Sequence, residues 1–171
     1  MDKSKFLSCP ELPDSVFLAK GAVVLGDLRC GESVSFWFNV VVRADNNYVQ
    51  IGQETNIQDS TVIHLDDKPC IIGNRVTIGH RAIVHGAILE DECMIGMGAV
   101  VLNNAVIKKG AIVGAGAVVT QGMVVEENTM VLGTPAKVKK VDLNFQERNR
   151  LVAAHYVEQA KLYKGAGYNQ F

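Results

Sequence analysis

An apolar side chain recurs at every sixth position along most of this chain. A period of six cannot produce the apolar stripe of an α-helix, whose period is about 3.6 residues, but it suits short strands separated by tight corners. The frame shifts after Val42, Ile63 and Val84 and then resumes. The series consists of Leu18, Val24, Cys30, Phe36, Val42, Ile51, Ile57, Ile63, Ile72, Ile78, Val84, Leu89, Ile95, Val101, Ile107, Val113, Val119, Val125 and Val131. It predicts an all-β fold, a parallel β-helix whose core these residues fill.

Three repeats of six residues build one triangular coil, so the series predicts about six coils between residues 18 and 137. With neighbouring strands about 4.8 Å apart, the prism should be about 30 Å long. Residues 1–17, which contain Pro10 and Pro13, are predicted to form an irregular segment that leads into the prism and covers its first end.

Residues 142–164 carry the signals of a C-terminal α-helix. Asn144, followed by Glu147 three residues later, matches a capping box at the start of such a helix. Apolar residues then recur at helical spacing, at Phe145, Leu151, Val152, Tyr156, Leu162 and Tyr163. We expect this face to pack along the prism or against a neighbouring subunit.

The composition narrows the class of partner. The 171 residues are 48% apolar and 20% charged, and 17 basic and 18 acidic residues are mixed along the chain to a net charge of −1. We therefore expect a small-molecule partner, with no nucleic acid and no membrane. The first ten residues lack the apolar segment of a secretion signal, which favours a cytoplasmic location. The four cysteines include no Cys-x-x-Cys pair and are expected to be reduced thiols.

The repeat frame places two histidines directly above one another. His64 and His85 both follow an inward residue at once, and 21 residues separate them. That separation is one coil of 18 residues plus the three-residue insertion between Ile63 and Ile72. Arg43 holds the same position one coil earlier, so the frame predicts a column of Arg43, His64 and His85.

Stacked histidines at this spacing suit a shared metal. Backbones about 4.8 Å apart let two imidazole nitrogens approach to about 3.4 Å, as when both bind one tetrahedral zinc. His80 lies on the preceding face and cannot reach this site within one prism. If three prisms pack around a threefold axis, a second subunit supplies His80, which gives three ligands and one open position. His155 lies in the predicted helix, without a partner at ligand spacing.

Four strings carry a more specific likeness: RADNNYVQIG from Arg43, NIQDSTVIH ending at His64, IGNRVTIGHRAIVHG from Ile72, and IGMGAVV from Ile95. In this order, over roughly residues 10–164, the chain resembles the γ-class carbonic anhydrases. The resemblance implies a left-handed β-helix and a homotrimer. It also implies a Zn²⁺ site, with Fe²⁺ or Co²⁺ as alternatives, made by His64 and His85 of one subunit and His80 of the next.

The same resemblance implies reversible hydration of carbon dioxide to bicarbonate by metal-bound hydroxide at a subunit interface. It places Gln58 near the attacking water and assigns Arg43, Asp45 and Asp59 to an ion-pair network between subunits. The chain is most similar to a subfamily with a short loop after the first histidine. There LDDKPC replaces a longer acidic loop with its glutamate proton shuttle, and Asp66 or Asp67 is the carboxylate available instead.

The chain differs from the best-characterised members of the family at two further positions. Asn46 stands where the best-characterised members carry a second glutamate, and Ala44 replaces the usual glycine of the Arg-x-Asp motif. Three other functions stay open from the sequence: a metal-dependent hydrolase of a thioester or small carbonyl compound, a hexapeptide acyltransferase that uses one histidine as general base, and a non-catalytic trimeric scaffold with a structural metal.

Overall fold

A computed structural model describes residues 8–170, so residues 1–7 of the predicted lead-in lie outside the described residues. In chain order the strands are β1 (Phe17–Leu18), β2 (Val23–Cys30), β3 (Ser35–Phe36), β4 (Val41–Ile51), β5 (Asn56–Ile57), β6 (Val62–His64), β7 (Cys70–Ile72), β8 (Thr77–Ile78), β9 (Ile83–His85), β10 (Ile88–Leu89), β11 (Met94–Ile95), β12 (Val100–Val101), β13 (Val106–Ile107), β14 (Ile112–Val113), β15 (Val118–Val119), β16 (Val124–Val125), β17 (Thr129–Leu132) and β18 (Lys137–Val141). The helix α1 (Phe145–Gly165) follows them.

The strands form three parallel faces. The first face consists of β1, β3, β5, β8, β11, β14 and β17, and β18 closes it as an antiparallel strand. The second face contains β6, β9, β12 and β15, and the third contains β7, β10, β13 and β16. The long strands β2 and β4 run through both of these faces. β2 pairs with both halves of β4, whose first half also pairs with β6 and whose second half also pairs with β7. The predicted parallel β-helix of about six coils with a C-terminal helix is confirmed, and its handedness stays a prediction.

The core follows the six-residue frame. Every predicted inward residue is buried except Val24 and Cys30, which are half-buried near the first coil. The cysteines are free thiols, as predicted. Burial raises the pKa of the Cys70 thiol to about 12, so this thiol stays protonated and unreactive at neutral pH.

The corner between the second and third faces absorbs both three-residue insertions. They lie between Val42 and Ile51 and between Ile63 and Ile72. The strands on either side keep their register: Ile63 pairs with Val84 across β6 and β9, and Ile72 pairs with Leu89 across β7 and β10. The insertions therefore add chain at one corner without disturbing the coils.

The helix packs on the first face, although not by all of the predicted residues. Tyr156 and Tyr163 contact Trp37 edge-on, with ring centroids 5.5 and 5.1 Å apart. The buried residues of α1 are Phe145, Asn149, Ala153 and Ala160, which recur at helical spacing. Leu151 and Leu162, which were predicted to lie on this face, are exposed. Both lie on a different side of the helix from the buried residues, three turns apart from each other. Within the described residues, α1 is not long and apolar enough to cross a bilayer.

The predicted capping box is wrong. The Asn144 side chain makes no capping hydrogen bond. Asp142 acts instead, because its Oδ1 accepts the Asn144 N–H at 3.0 Å and its carbonyl oxygen accepts the Phe145 N–H at 3.0 Å. A hydrogen bond from Lys140 holds the pKa of Asp142 at about 2, well below its ordinary value.

Glu92 joins the helix to the prism. Its side chain is only 2% exposed, and its Oε1 accepts hydrogen bonds from Arg75 Nε at 2.9 Å and Arg150 Nε at 3.2 Å. Gln146 donates to its other oxygen. Burial acts to raise the pKa of Glu92, but these three hydrogen bonds outweigh burial and keep the pKa below its ordinary value.

We expect Glu92→Ala to lower the free energy of unfolding by about 2–3 kcal/mol, because two guanidinium groups and an amide lose a buried acceptor. Chemical denaturation at fixed protein concentration measures the change. Glu158→Ala, which removes an exposed pair with Lys161, is the control and should leave stability unchanged within error. Since the pKa of Glu92 is lowered, its contribution is complete above about pH 4.3 and is lost as the pH falls through the folded-state pKa. Equal stability of the two variants would contradict this role.

Candidate metal centre

Adjacent strands align the predicted column. Arg43 pairs with His64 across β4 and β6, and His64 pairs with His85 across β6 and β9. The two imidazoles face each other with His64 Nδ1 and His85 Nε2 3.0 Å apart and ring centroids 5.0 Å apart. The predicted stacking is therefore confirmed, at the corner where the insertions lie.

The outer nitrogen of His64 faces a carboxylate. Asp45, from the first insertion, places Oδ1 3.1 Å from His64 Nε2. An ionised carboxylate can only accept a hydrogen bond, so Nε2 carries the proton and Nδ1 presents a lone pair to His85. Arg43 forms an ion pair with the same carboxylate. Burial acts to raise the pKa of Asp45, but Arg43 and His64 together lower it below its ordinary value.

The outer nitrogen of His85 faces an amide. Asn103 Oδ1 lies 2.6 Å from His85 Nδ1, and Asn103 Nδ2 donates to Asp66 Oδ2 at 3.0 Å. Because Asp66 can only accept, the Asn103 amide must turn its NH₂ toward Asp66 and its oxygen toward His85. His85 Nδ1 is then the donor, and Nε2 presents its lone pair to His64.

With the ring protons assigned in this way, two lone pairs point at each other across 3.0 Å. A cation between the rings relieves this repulsion, and the N–N separation is close to the roughly 3.4 Å that two ligands span in a tetrahedral zinc site. Each ring is also oriented by an oxygen on its far nitrogen, as is usual for histidines that bind metals. The donor set fits a divalent transition metal.

The second insertion brings one more possible ligand atom. Asp66 Oδ1 lies 4.0 Å from His85 Nε2, and among the described residues His64, Asp66 and His85 are the group whose ligand atoms converge. Asp67 contributes its backbone here, since its carbonyl oxygen accepts a hydrogen bond from Asn47 Nδ2 at 2.7 Å. Of the two loop carboxylates, Asp66 is therefore the one that faces the column.

His80 lies elsewhere, after β8 at the corner between the first and second faces. Its Nδ1 is 2.7 Å from Asp59 Oδ2, and its backbone N–H donates to Gln58 Oε1 at 3.2 Å. Gln58 is buried, and its Nε2 donates to Asn56 Oδ1 at 3.1 Å. His80, Asp59 and Gln58 therefore form a second group at a different corner from the histidine column.

An aromatic cleft of about 250 Å³ opens beside this second group, between the first face and α1. It is lined by Trp37, Phe38, Asp59, His80, His155, Tyr156, Gln159 and Tyr163. Partial burial, and to a smaller extent the nearby charge of Asp59, raise the pKa of Tyr156. His80 thus stands at the edge of this cleft, and its side chain is 41% exposed.

Comparison with known proteins decides the family. The family model described as "Bacterial transferase hexapeptide (six repeats)" matches residues 86–121. A Geobacillus kaustophilus protein named carbonic anhydrase is 44% identical over 160 residues, which cover 91% of this chain and 86% of that protein. The Arabidopsis thaliana protein named gamma carbonic anhydrase 2, mitochondrial, is 39% identical over 105 residues, 57% of this chain and 38% of that protein. This chain belongs to the γ-class carbonic anhydrase-like family.

A solved structure has the same β-helix fold as this γ-class-like chain. A Bacillus cereus structure described as a putative acetyltransferase aligns with a TM-score of 0.87 and 35% identity, over 90% of this chain and 91% of that one. The β-helix alone therefore does not separate anhydrases from acyltransferases.

Within one γ-class-like subunit the predicted site residues fall into two groups. Arg43, Asp45, His64 and His85 meet at one corner, whereas Gln58, Asp59 and His80 meet at another. Within the chain Arg43 pairs with Asp45 and Asp59 pairs with His80, and the predicted ion-pair network between subunits stays a prediction.

Sequence reasoning missed Asn103 and Asn56. Because Val101 pairs with Val84, one coil of the frame places Leu102 beside His85 and Asn103 beside Gly86, so the frame alone does not indicate that the Asn103 side chain reaches His85. Asn56 lies on a strand two residues before Gln58, and strand alternation would have placed the two on one side.

Proposed function

We propose that this chain catalyses the reversible hydration of carbon dioxide to bicarbonate at a metal held between two subunits. The observation that carries the proposal is the approach of His64 Nδ1 to His85 Nε2 at 3.0 Å, with an oxygen atom at the other nitrogen of each ring. The proposal is supported by the relatives named carbonic anhydrase.

The ligands would be His64 and His85 of one subunit and His80 of its neighbour. Three histidines with one open position suit Zn²⁺, and Fe²⁺ or Co²⁺ accept the same donors. A divalent metal in such a site lowers the pKa of water toward 7 and so supplies a nucleophile at neutral pH. His80 would be free to join, because Asp59 holds Nδ1 and leaves Nε2 available.

The second face supports association with further copies of the chain. Its outward residues are apolar beside the column: Val23, Val62 and Ile83 are 48%, 37% and 40% exposed. An exposed apolar strip of this kind marks an interaction surface. Three copies around a threefold axis would cover the strip and bring the His80 corner of one subunit to the column of the next.

Gln58 and the charged residues would then act across the interface. One hydrogen of Gln58 Nε2 is committed to Asn56, so the amide is held in one orientation and its second hydrogen can donate toward the reacting oxygen atoms. Arg43, anchored by Asp45, would meet Asp59 of the neighbour, which completes the ion-pair network. The aromatic cleft beside His80 offers an apolar surface to carbon dioxide.

Hydrolysis of a thioester and acyl transfer from coenzyme A stay as rival functions, since both occur at a metal or a histidine on this kind of scaffold. The column argues against a general-base role for His64 or His85. Both rings turn their lone pairs toward each other, where a free substrate hydroxyl or amine has no room.

Removal and return of the metal test the proposal. Protein purified anaerobically with about one metal per subunit should accelerate carbon dioxide hydration in a stopped-flow assay. Dialysis against a chelator should reduce the rate to that of buffer alone, and added Zn²⁺, Fe²⁺ or Co²⁺ should restore it. Bovine serum albumin carried through the same metal treatment is the control for free metal.

Two results would contradict the proposal. Metal-loaded protein that hydrates no carbon dioxide but cleaves acetyl-coenzyme A would favour the hydrolase or, with an acceptor amine present, the acyltransferase. Metal-loaded protein that turns over neither compound would favour the scaffold.

A further inference from the structure

Asn103 reaches the metal centre from the next coil. Its backbone is fixed on both sides, because the Asn104 N–H donates to the Gly86 carbonyl at 2.8 Å and the Gly122 N–H donates to the Asn103 carbonyl at 3.0 Å. Its side-chain oxygen lies directly over Gly86, where a methyl group would approach to 2.6 Å. Glycine at position 86, with φ of +54°, therefore leaves room for the amide to reach His85.

The amide has two different partners and cannot be reversed. Its NH₂ donates to Asp66 at 3.0 Å, and its oxygen accepts from His85 at 2.6 Å. Reversal would place the amide oxygen against the Asp66 carboxylate and the NH₂ against a ring N–H. Among short side chains only an asparagine combines such a donor and an acceptor in one plane.

We propose that Asn103 is a positioning residue, backed by Asp66, that holds His85 in its Nδ1–H form so that Nε2 stays available to the metal. The inference rests on the proposed metal site and adds to it the residue that sets the tautomer. Neutral histidine has two tautomers, and only the one with an unprotonated Nε2 can bind a metal at this position.

The two histidines of the column are thus oriented by different chemistry. His64 is held by the charged carboxylate of Asp45, which Arg43 neutralises. His85 is held by a neutral amide, with the negative charge of Asp66 one hydrogen bond farther away. Without Asn103, His85 can turn its N–H toward His64 and lose its place as a ligand.

Two substitutions separate this role from a structural one. Asn103→Asp keeps an acceptor for His85 Nδ1–H but loses the donor to Asp66, whereas Asn103→Ala loses both. Gln121→Ala is the matched control, because Gln121 occupies the same corner position one coil farther along and is exposed. The readouts are the ¹⁵N spectrum of His85 in metal-free protein near pH 8, and the Zn²⁺ affinity by competition with a chelator.

We expect Asn103→Ala to convert His85 from one tautomer to a mixture and to weaken Zn²⁺ binding about 10- to 100-fold. Asn103→Asp should keep the Nδ1–H form and an affinity within about threefold of wild type, as should Gln121→Ala. The proposal is overturned if His85 in Asn103→Ala keeps the Nδ1–H form, or if Asn103→Asp loses it to the same extent as alanine.

The same experiments distinguish this inference from the proposed function. Wild-type protein that binds Zn²⁺ but hydrates no carbon dioxide would defeat the function and leave the affinity and tautomer tests in force. A tautomer that responds to Asn103 in metal-free protein supports the positioning role independently of any turnover.

Discussion

His85→Ala is expected to empty the metal centre. The substitution removes the nitrogen that faces His64 at 3.0 Å and leaves Asn103 and Asp66 without the ring that they orient. With one of the three proposed histidine ligands gone, we expect metal content to fall from about one to below about 0.1 per subunit, and hydration to fall to the buffer rate. Elemental analysis and stopped-flow assays on the same preparation measure both, and His64→Ala should behave alike.

His155→Ala is the control for this loss. His155 is an exposed histidine on α1, so its removal changes histidine content without touching the column. Metal content should stay at the wild-type value; the rate is not part of this control, because His155 also lines the aromatic cleft beside His80. Full metal occupancy in His85→Ala, with the fold intact by circular dichroism, would show that the column is not the metal site.

The histidine column could be predicted because it depends on the backbone alone. The distance of 21 residues between His64 and His85 becomes one coil once the insertion before Ile72 is counted, and strand pairing preserves that register. Hydrophobic burial enforces the register, since a slip of one residue would turn each inward side chain outward. The same frame predicted the core almost completely, and it failed at Val24 and Cys30, which are half-buried near the first coil.

The features that could not be predicted from the sequence depend on side-chain direction and on contacts between residues distant in sequence. The choice between Asn144 and Asp142 as helix cap follows from the path of the turn after β18, which no residue type specifies. Glu92 meets Arg150 across 58 residues, and a single charged position gives no signal of that partner. Asp66 and Asp67 are equivalent in the sequence, and only the loop geometry turns Asp66 toward His85.

Mixing two inactive variants is expected to restore activity if the site lies between subunits. His80→Ala keeps its column and His85→Ala keeps its His80, so each is inactive alone but supplies what the other lacks. In trimers reassembled from equal amounts, a given site is intact when its column comes from the first variant and its His80 from the second. We expect about one quarter of the wild-type rate per subunit, because each condition holds for half of the subunits.

The mixture of His64→Ala with His85→Ala is the matched control. Both substitutions damage the column, so every site lacks a ligand whichever subunits meet, and no activity should return. The two mixtures differ only in which corner of the prism is damaged, so their comparison tests the separation of His80 from the column directly. Inactivity of both mixtures, with mixed trimers shown by differently tagged chains, would refute a shared site. His80→Ala that keeps its metal would instead place the third ligand in the same chain, where Asp66 Oδ1 lies 4.0 Å from His85 Nε2.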